Sequence, residues 1–304
     1  MSQYRHWLLS VCLVSAAVLP ATASTVKVNN WRPAFIGIDE TTATIDGQDA
    51  SVAYALRIDL QAPGIRFYST PHQGTAQTIA STDSQFLVKY GLQAVINANF
   101  FAPCCNATAE PKTFNGVAVS DANVVSLPAS AVGQNAALLI SRKNEASIVE
   151  TTEQTDLSNI FTAVAGSGII VSEGQNVGSS TGGMQGDGAD PNPRSLLGLS
   201  KDSRYLYIVA VDGRQPGYSA GTTSVESAEI MLQLGAYTAL NLDGGGSTSL
   251  VTDNGHGGAQ VVNRPSGGTE RFDANQLGVR AVPLPKTLSI EGILEDFYKA
   301  FLNY

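Results

Sequence analysis

Histidine and cysteine are scarce in this 304-residue chain, with three of each, and their scarcity closes off several kinds of chemistry. His6, His72 and His256 lie far apart, so no pair has transition-metal ligand spacing, and no transition-metal centre is expected. Cys12 falls in an apolar N-terminal run, while Cys104 and Cys105 are adjacent. Two neighbouring cysteines are too few for a structural zinc site and too close together to staple distant segments, so stability must come from a packed core. In an oxidising compartment the pair either closes into a vicinal disulfide or remains two thiols. Charge is thin as well. Only 14% of residues are charged, and 18 Lys and Arg stand against 26 Asp and Glu, for a net charge of −8. Such a chain neutralises phosphates poorly, which argues against nucleic acid or anionic membrane as a partner. Beyond the N-terminus no apolar run approaches the roughly 20 residues that a transmembrane helix needs.

The chain opens with Arg5 and His6, an apolar run over 7–19, Pro20 and then Ala21-Thr22-Ala23. This reads as a secretory signal peptide, and it is too short to be a span. Cys12 would suggest a lipoprotein anchor, but Val11 stands before it where a small residue is expected. The expected location is therefore periplasmic or secreted. The expected layout is a signal peptide over 1–23, a lead-in over 24–50, one domain over 51–285 and a C-terminal amphipathic helix over 286–304. In that helix Ile293, Leu294, Phe297 and Phe301 share a face.

Along the domain, 52–60 alternates as a strand does, and Pro63-Gly64 turns it towards 65–68, so a hairpin is expected. A short helix over 84–90 stopped by Gly91 feeds a strand over 92–97. Later a strand over 205–211 precedes a helix opened by Thr223, running to about Leu234 and closed by Gly235, before a strand over 237–242. Further strands are expected at 136–141, 168–172, 195–199 and 278–282. The fold class expected is α/β to α+β: mixed, strand-rich sheets flanked by a few helices in a single domain, with local strand-helix-strand units and a sheet covered by at least two helices. The connection 174–193 is rich in Gly, Ser, Asp and Asn, so it is read as a lid or functional loop near the site. Carboxylates and carbonyls in 182–190 would suit Ca²⁺, the one cofactor the sequence leaves open. Asn106-Ala107-Thr108 matches a glycosylation sequon.

The most informative stretch is Asn-Leu-Asp-Gly-Gly-Gly-Ser-Thr-Ser over 241–249. Asp243 ends an apolar strand and is followed at once by Gly244, Gly245 and Gly246, then Ser247. Consecutive glycines weaken regular structure and are best explained by positive φ or by a ligand close to the main chain. Bare amides beside a carboxylate suit a substrate with both an anion and a reacting carbon.

Four blocks resemble the phosphodiester glycosidase family (the NAGPA domain): Asn97-Ala98-Asn99-Phe100-Phe101; Pro193-Arg194-Ser195 with Gly198; Val211-Asp212-Gly213-Arg214 leading through Ser219, Gly221, Thr222 and Glu226 to the Asp243 loop; and Asn263-Arg264-Pro265 with Glu270-Arg271. They run in order through nearly the whole domain. Ala98 and Asn99 depart from the family's usual glycines, and Cys104-Cys105 is an insertion. The resemblance implies an exported hydrolase that cleaves the bond between sugar and phosphate in a sugar-1-phosphodiester or phosphoglycan. A phosphomonoester leaves readily because its second pKa is about 6, so cations and amides matter more than a strong general acid. Arg194, Arg214 and Arg271 offer planar forks for phosphate oxygens, and the glycine amides could form an anion nest.

A carboxylate is needed to stabilise oxocarbenium character, as nucleophile or as base. Asp243, Asp212, Glu226 and Glu270 are the candidates, with Asp243 best placed and Glu270 also read as substrate-binding. Glu226 could instead close a capping box with Thr223, and Asp212 could merely shape a turn. Asn97 and Asn99 share a side by the two-residue period and could bond sugar hydroxyls, or could bond backbone in a turn. The arginines could pair with Glu270 or Asp273 instead. A competing reading is a non-catalytic glycan-binding envelope protein of the same fold. A nucleotide-phosphate loop is disfavoured, because no Gly-Lys-Ser/Thr ending or immediate helix follows.

Overall fold

The computed structural model describes residues 25–46, 50–105, 108–128, 135–178 and 189–285. The expected signal peptide over 1–23, the expected helix over 286–304, Asn106 of the sequon and nearly all of the 182–190 loop lie outside the described residues. None of the described helices is long and apolar enough to cross a membrane.

The chain is mostly β, which corrects the α/β half of the expected class. Two α-helices occur among the described residues, α1 (Asp83–Tyr90) and α2 (Ser224–Leu234). Both are delimited as their sequences imply. Thr82 and Thr223 cap them in closed capping boxes with Gln85 and Glu226, and Gly91 and Gly235 end them in the left-handed conformation.

A ten-stranded sheet and two five-stranded sheets form the body. The Tyr205–Val211 strand shows why the layers stack. Leu206, Ile208 and Ala210 enter one core with residues of both smaller sheets, whereas Tyr207, Val209 and Val211 enter another with Ala228, Ile230 and Met231 of α2. A period of two with apolar residues at every position buries a strand on both faces. On the far side, Phe86 and Leu87 of α1 pack with Val95 and Val251 of the Ala94–Asn97 and Leu250–Asp253 strands. The order is thus α2, large sheet, second sheet, α1. Each helix covers a different sheet, where the sequence suggested one sheet beneath both.

The expected strands at 136–141, 168–172 and 205–211 form at those bounds. The expected hairpin at Pro63-Gly64 does not form. Ser51–Asp59 pairs with Ile38–Asp46 and Tyr205–Val211 in the large sheet, and Arg66–Ser69 pairs with Gln276–Arg280 in the second. The turn carries the chain from one layer to the other, which local sequence cannot distinguish from a hairpin. The local strand-helix-strand unit does form. Tyr205–Val211 and Thr238–Asn241 both run antiparallel to Arg194–Leu199 between them, so they are parallel and joined through α2. The lead-in belongs to the large sheet, because Ile38–Asp46 pairs along its length with Ser51–Asp59.

Candidate active site

The Ala94–Asn97 and Thr238–Asn241 strands end side by side in different sheets, and polar bonds fasten the ends. Asn97 Nδ2 donates to the Asp243 carbonyl at 2.7 Å, and the Asp243 amide donates to the Ala98 carbonyl at 3.0 Å. Asn97 Oδ1 accepts from Ser195 Oγ at 2.6 Å and from the Ser249 amide at 3.3 Å. Asn99 behaves similarly. Its Nδ2 donates to the carbonyls of Asn115 and Val117, and its Oδ1 accepts from the Ala165 amide and Asn275 Nδ2. Both asparagines are buried. These amides tie the three sheets together, and the bonds they make are to the protein itself, which argues against the expected sugar contacts.

The glycine loop is held just as closely. A side chain on Gly244 would stand 2.7 Å from the Pro193 carbonyl oxygen, and one on Gly246 would overlap the Arg271 guanidinium. The Gly245 amide donates to the Pro193 carbonyl at 2.9 Å. The amide nest is thus not free in the form expected, and the glycines serve close approach instead. What approaches is cationic. Arg271 lies over Gly246, and Arg214 lies against Gly245, its terminal nitrogens 3.2 Å from where a side chain would begin.

Arg271 and Arg214 line one open cleft of about 640 Å³ with Gly246, Glu270, Phe272 and Cys105. Cys105 is joined to Cys104 in a disulfide. Arg214 is exposed and reaches Asn192 Oδ1 through Nε at 3.1 Å and Nη2 at 2.8 Å. The end of the long 174–193 connection therefore does border the site. Arg194 does not reach the cleft. It is buried, with Nε donating to the Thr222 carbonyl at 2.9 Å and Nη2 to the Asp190 carbonyl at 3.0 Å. Burial, then Arg214 nearby, lowers its pKa to about 10, which leaves it charged.

Glu270 sits at the N-terminus of α1, where its carboxylate accepts from the Ser84 amide at 2.9 Å and from Ser84 Oγ at 2.5 Å. The helix's free amides and positive end favour an anion there. Asp243, half-buried, is not among the cleft-lining residues but stands at the root of the loop that is. Burial raises its pKa to about 6, against the opposing effects of the Ser247 hydroxyl, the Arg271 charge and the Gly244 amide. Ser247 Oγ accepts from Arg271 Nη1 at 3.1 Å.

Two carboxylates that the sequence did not single out for chemistry join this group. Asp273 and Asp83 are buried, and none of their carboxylate oxygens has a hydrogen-bond partner. Burial raises both well above the usual range. The charge of Asp243 adds to this at Asp273, and that of Asp273 at Asp83. Asp273 stands two residues after Arg271, before the buried run 274–279, a faint signal of an inward acid. Asp83 is masked by its position, since an acid in the first turn of a helix is ordinary.

The remaining candidates lie elsewhere. Asp212 is buried and fully bonded: Oδ1 accepts from Asn263 Nδ2 and the Arg264 amide, each at 2.9 Å, and Oδ2 accepts from Tyr218 Oη at 3.0 Å. Glu226 closes the capping box of α2, its Oε2 accepting from the Thr223 amide and Oγ1, each at 2.9 Å. Among the described residues no cluster of His, Cys, Asp or Glu has the arrangement of a metal site.

The phosphodiester glycosidase (NAGPA) family matches residues 90–280, a range that contains the cleft, both of its arginines, Glu270 and Asp243. The chain belongs to this family. None of the curated proteins matches the chain by sequence. Among solved structures, the catalytic domain of zebrafish N-acetylglucosamine-1-phosphodiester α-N-acetylglucosaminidase, auto-inhibited by its pro-peptide, is similar in fold. Its TM-score is 0.61 at 14% identity over 86% of this chain and 88% of that one. A hypothetical protein from Synechocystis is similar at TM-score 0.58 and 18% identity, and this chain, 86% covered, spans 64% of its length. A candidate exported protein from Burkholderia pseudomallei is similar at TM-score 0.58 and 14% identity, over 89% of this chain and 99% of that one. At these identities the likeness is one of fold.

Proposed function

We propose that this phosphodiester glycosidase family member is an exported hydrolase that cleaves the sugar–phosphate bond of sugar-1-phosphodiesters, such as those of N-acetylglucosamine. One observation carries the reading: Arg214 and Arg271 lie against the glycine loop in one cleft with Glu270, and Asp243 stands at the loop's root. The two forks bind the phosphate oxygens. As the bond between C1 and the bridging oxygen breaks, that oxygen leaves with the phosphomonoester, whose low second pKa makes it a good leaving group. Asp243 faces the positive charge that develops at C1, as nucleophile or as base for the incoming water. With a pKa near 6 it is mostly ionised at neutral pH, while burial and the Asp243 charge push the Asp273 carboxyl further towards its protonated form. Environments that push two carboxyls apart in this way divide acid from base. Asp212 and Glu226 support the site without touching substrate. Export is supported by the leader-like pattern over 1–23.

The test is release of free sugar from α-N-acetylglucosamine-1-phosphodiesters and a panel of related sugar-1-phosphodiesters. Asp243→Asn should abolish turnover yet still bind the sugar phosphate. If the wild-type protein binds these compounds but leaves every one intact, the glycan-binding alternative replaces the hydrolase.

A further inference from the structure

The end of the second sheet remote from the carboxylates carries another concavity. Its position follows from register: Gln276 pairs with Asn97 at the carboxylate end of its strand, and Arg280 pairs with Arg66 at the other end. Four residues of strand separate the two ends, about 13 Å. By the two-residue period Arg66 and Tyr68 share a face. Tyr68 meets Phe86 and Tyr90 of α1, with ring centroids 6.1 and 4.7 Å away. Arg66, Arg280, Tyr68, Tyr90 and Phe161 surround a pocket of about 340 Å³, small-ligand size.

Like charges placed directly opposite on an antiparallel pair repel, and neither Arg66 nor Arg280 forms an ion pair among the described residues. Each guanidinium is steadied by a carbonyl. Arg280 Nη2 donates to Tyr90 at 2.8 Å, at the C-terminal end of α1, and Arg66 Nη1 donates to Ile65 at 2.7 Å. One such bond leaves most of an arginine's five donors for a ligand. Two further cations contact rings that line the pocket without lining it themselves: Lys89 Nζ is 5.0 Å from the Tyr90 ring centroid, and Arg142 Cζ is 4.3 Å from that of Phe161. Asp121 is the single acid lining the pocket. In a chain of net charge −8, two lining cations against one carboxylate form a local reversal of sign.

We propose that this pocket binds an anionic sugar unit of a glycan, Arg66 and Arg280 sharing its phosphate or carboxylate group while the aromatic rings receive the C–H face of the sugar. A lipid surface or a nucleic acid needs an extended basic face, which a pocket with two lining arginines does not offer. A single pair of guanidiniums beside aromatic walls suits one charged ring of a chain. The pocket lies apart from the Asp243 cleft, so the proposal stands whether or not that cleft hydrolyses its ligand.

Affinity electrophoresis through gels containing polygalacturonate, a phosphomannan or neutral dextran tests it. The wild-type protein should be retarded by at least one acidic polymer and not by dextran, and which polymer retards it assigns the anion. Arg66→Gln with Arg280→Gln should weaken retardation at least fivefold while hydrolysis of small sugar-1-phosphodiesters is unchanged, and Asp243→Asn should leave retardation intact. Both arginines are exposed, and each single variant, checked by its urea midpoint, should show part of the loss. Absence of retardation in both acidic gels, full retardation of the double variant, or loss of retardation in Asp243→Asn would overturn the proposal. So would binding to phosphatidylserine vesicles that the double variant abolishes.

Discussion

The guanidinium of Arg271 occupies the space that a side chain on Gly246 would fill. It also donates to Ser247 Oγ, so the glycine loop and the arginine define one another's positions. Placing a methyl group on Gly246 displaces the far end of a flexible side chain rather than backbone. Gly246→Ala should therefore cost less than about 1 kcal/mol of stability, as surface changes do. Activity on a sugar-1-phosphodiester should fall at least tenfold because the phosphate loses a positioned cation. Parallel measurements of kcat/KM and of the urea midpoint check this. Unchanged kcat/KM would remove Arg271 from the proposed machinery.

Asp243 gives the pH dependence a sign. Its folded pKa, about 6, lies above the ordinary 3.8, chiefly through burial. In the unfolded chain it gives up its proton at lower pH, so between these values the folded state binds more protons. The stability this provides is fully present below about pH 4 and is lost as pH rises through 6. Asp83 and Asp273 are raised in the same direction. Urea midpoints should rise as pH is lowered from 8 to 5, with Asp243 contributing on the order of 1 kcal/mol over that range. Asp273→Asn should flatten the slope. Activity should run the other way, rising with pH through about 6 as Asp243 ionises. A urea midpoint that falls on mild acidification would contradict the burial argument.

Glu226 and Asp212 are expected to separate structure from chemistry. Glu226 bonds back to Thr223 at the start of α2, and glutamine can make the same bonds. Glu226→Gln should keep kcat within about threefold, whereas Glu226→Ala should lose about 1 kcal/mol of stability. Asp212→Ala strips partners from Asn263, Arg264 and Tyr218 at once. It should cost about 3 kcal/mol, because buried donors are left unsatisfied. A hundredfold fall in kcat for Glu226→Gln at wild-type stability would return Glu226 to the reaction.

The sequence is most legible where a rule is local. The capping box and left-handed glycine of α2 are written in Thr223, Glu226 and Gly235, and the 205–211 strand is a continuous apolar run. Asp243 and the glycine loop are visible for the same reason. What local rules miss is pairing between distant segments. Pro63-Gly64 reads as a hairpin turn but links two layers, and Asp83 meets Asp273 only because α1 docks beside the strand that follows Asp273. Arg194 illustrates the converse error. A motif position suggested a phosphate ligand, yet its carbonyl partners are supplied by Asp190 and Thr222.

Asn97 offers the sharpest test of how the site is built. Its amide touches Asp243, Ser195 and Ser249, which belong to segments on both sides of the interface between the large and second sheets. Replacing it with alanine removes one buried donor and one buried acceptor and leaves the Asp243 carbonyl, the Ser195 hydroxyl and the Ser249 amide without that partner. Each such loss costs about 1–3 kcal/mol, reduced where neighbours relax. Asn97→Ala should therefore destabilise the protein by about 3 kcal/mol and lower kcat more than it raises KM, because the arginines proposed to hold the phosphate stay in place while Asp243 is freed to shift. Asn97→Asp keeps the acceptor for Ser195 but turns a carboxylate towards the Asp243 carbonyl, so it should be at least as damaging. If Asn97 instead contacted the sugar, Asn97→Ala would raise KM strongly with little change in stability, and paired measurement of the urea midpoint and the steady-state constants tells the two roles apart.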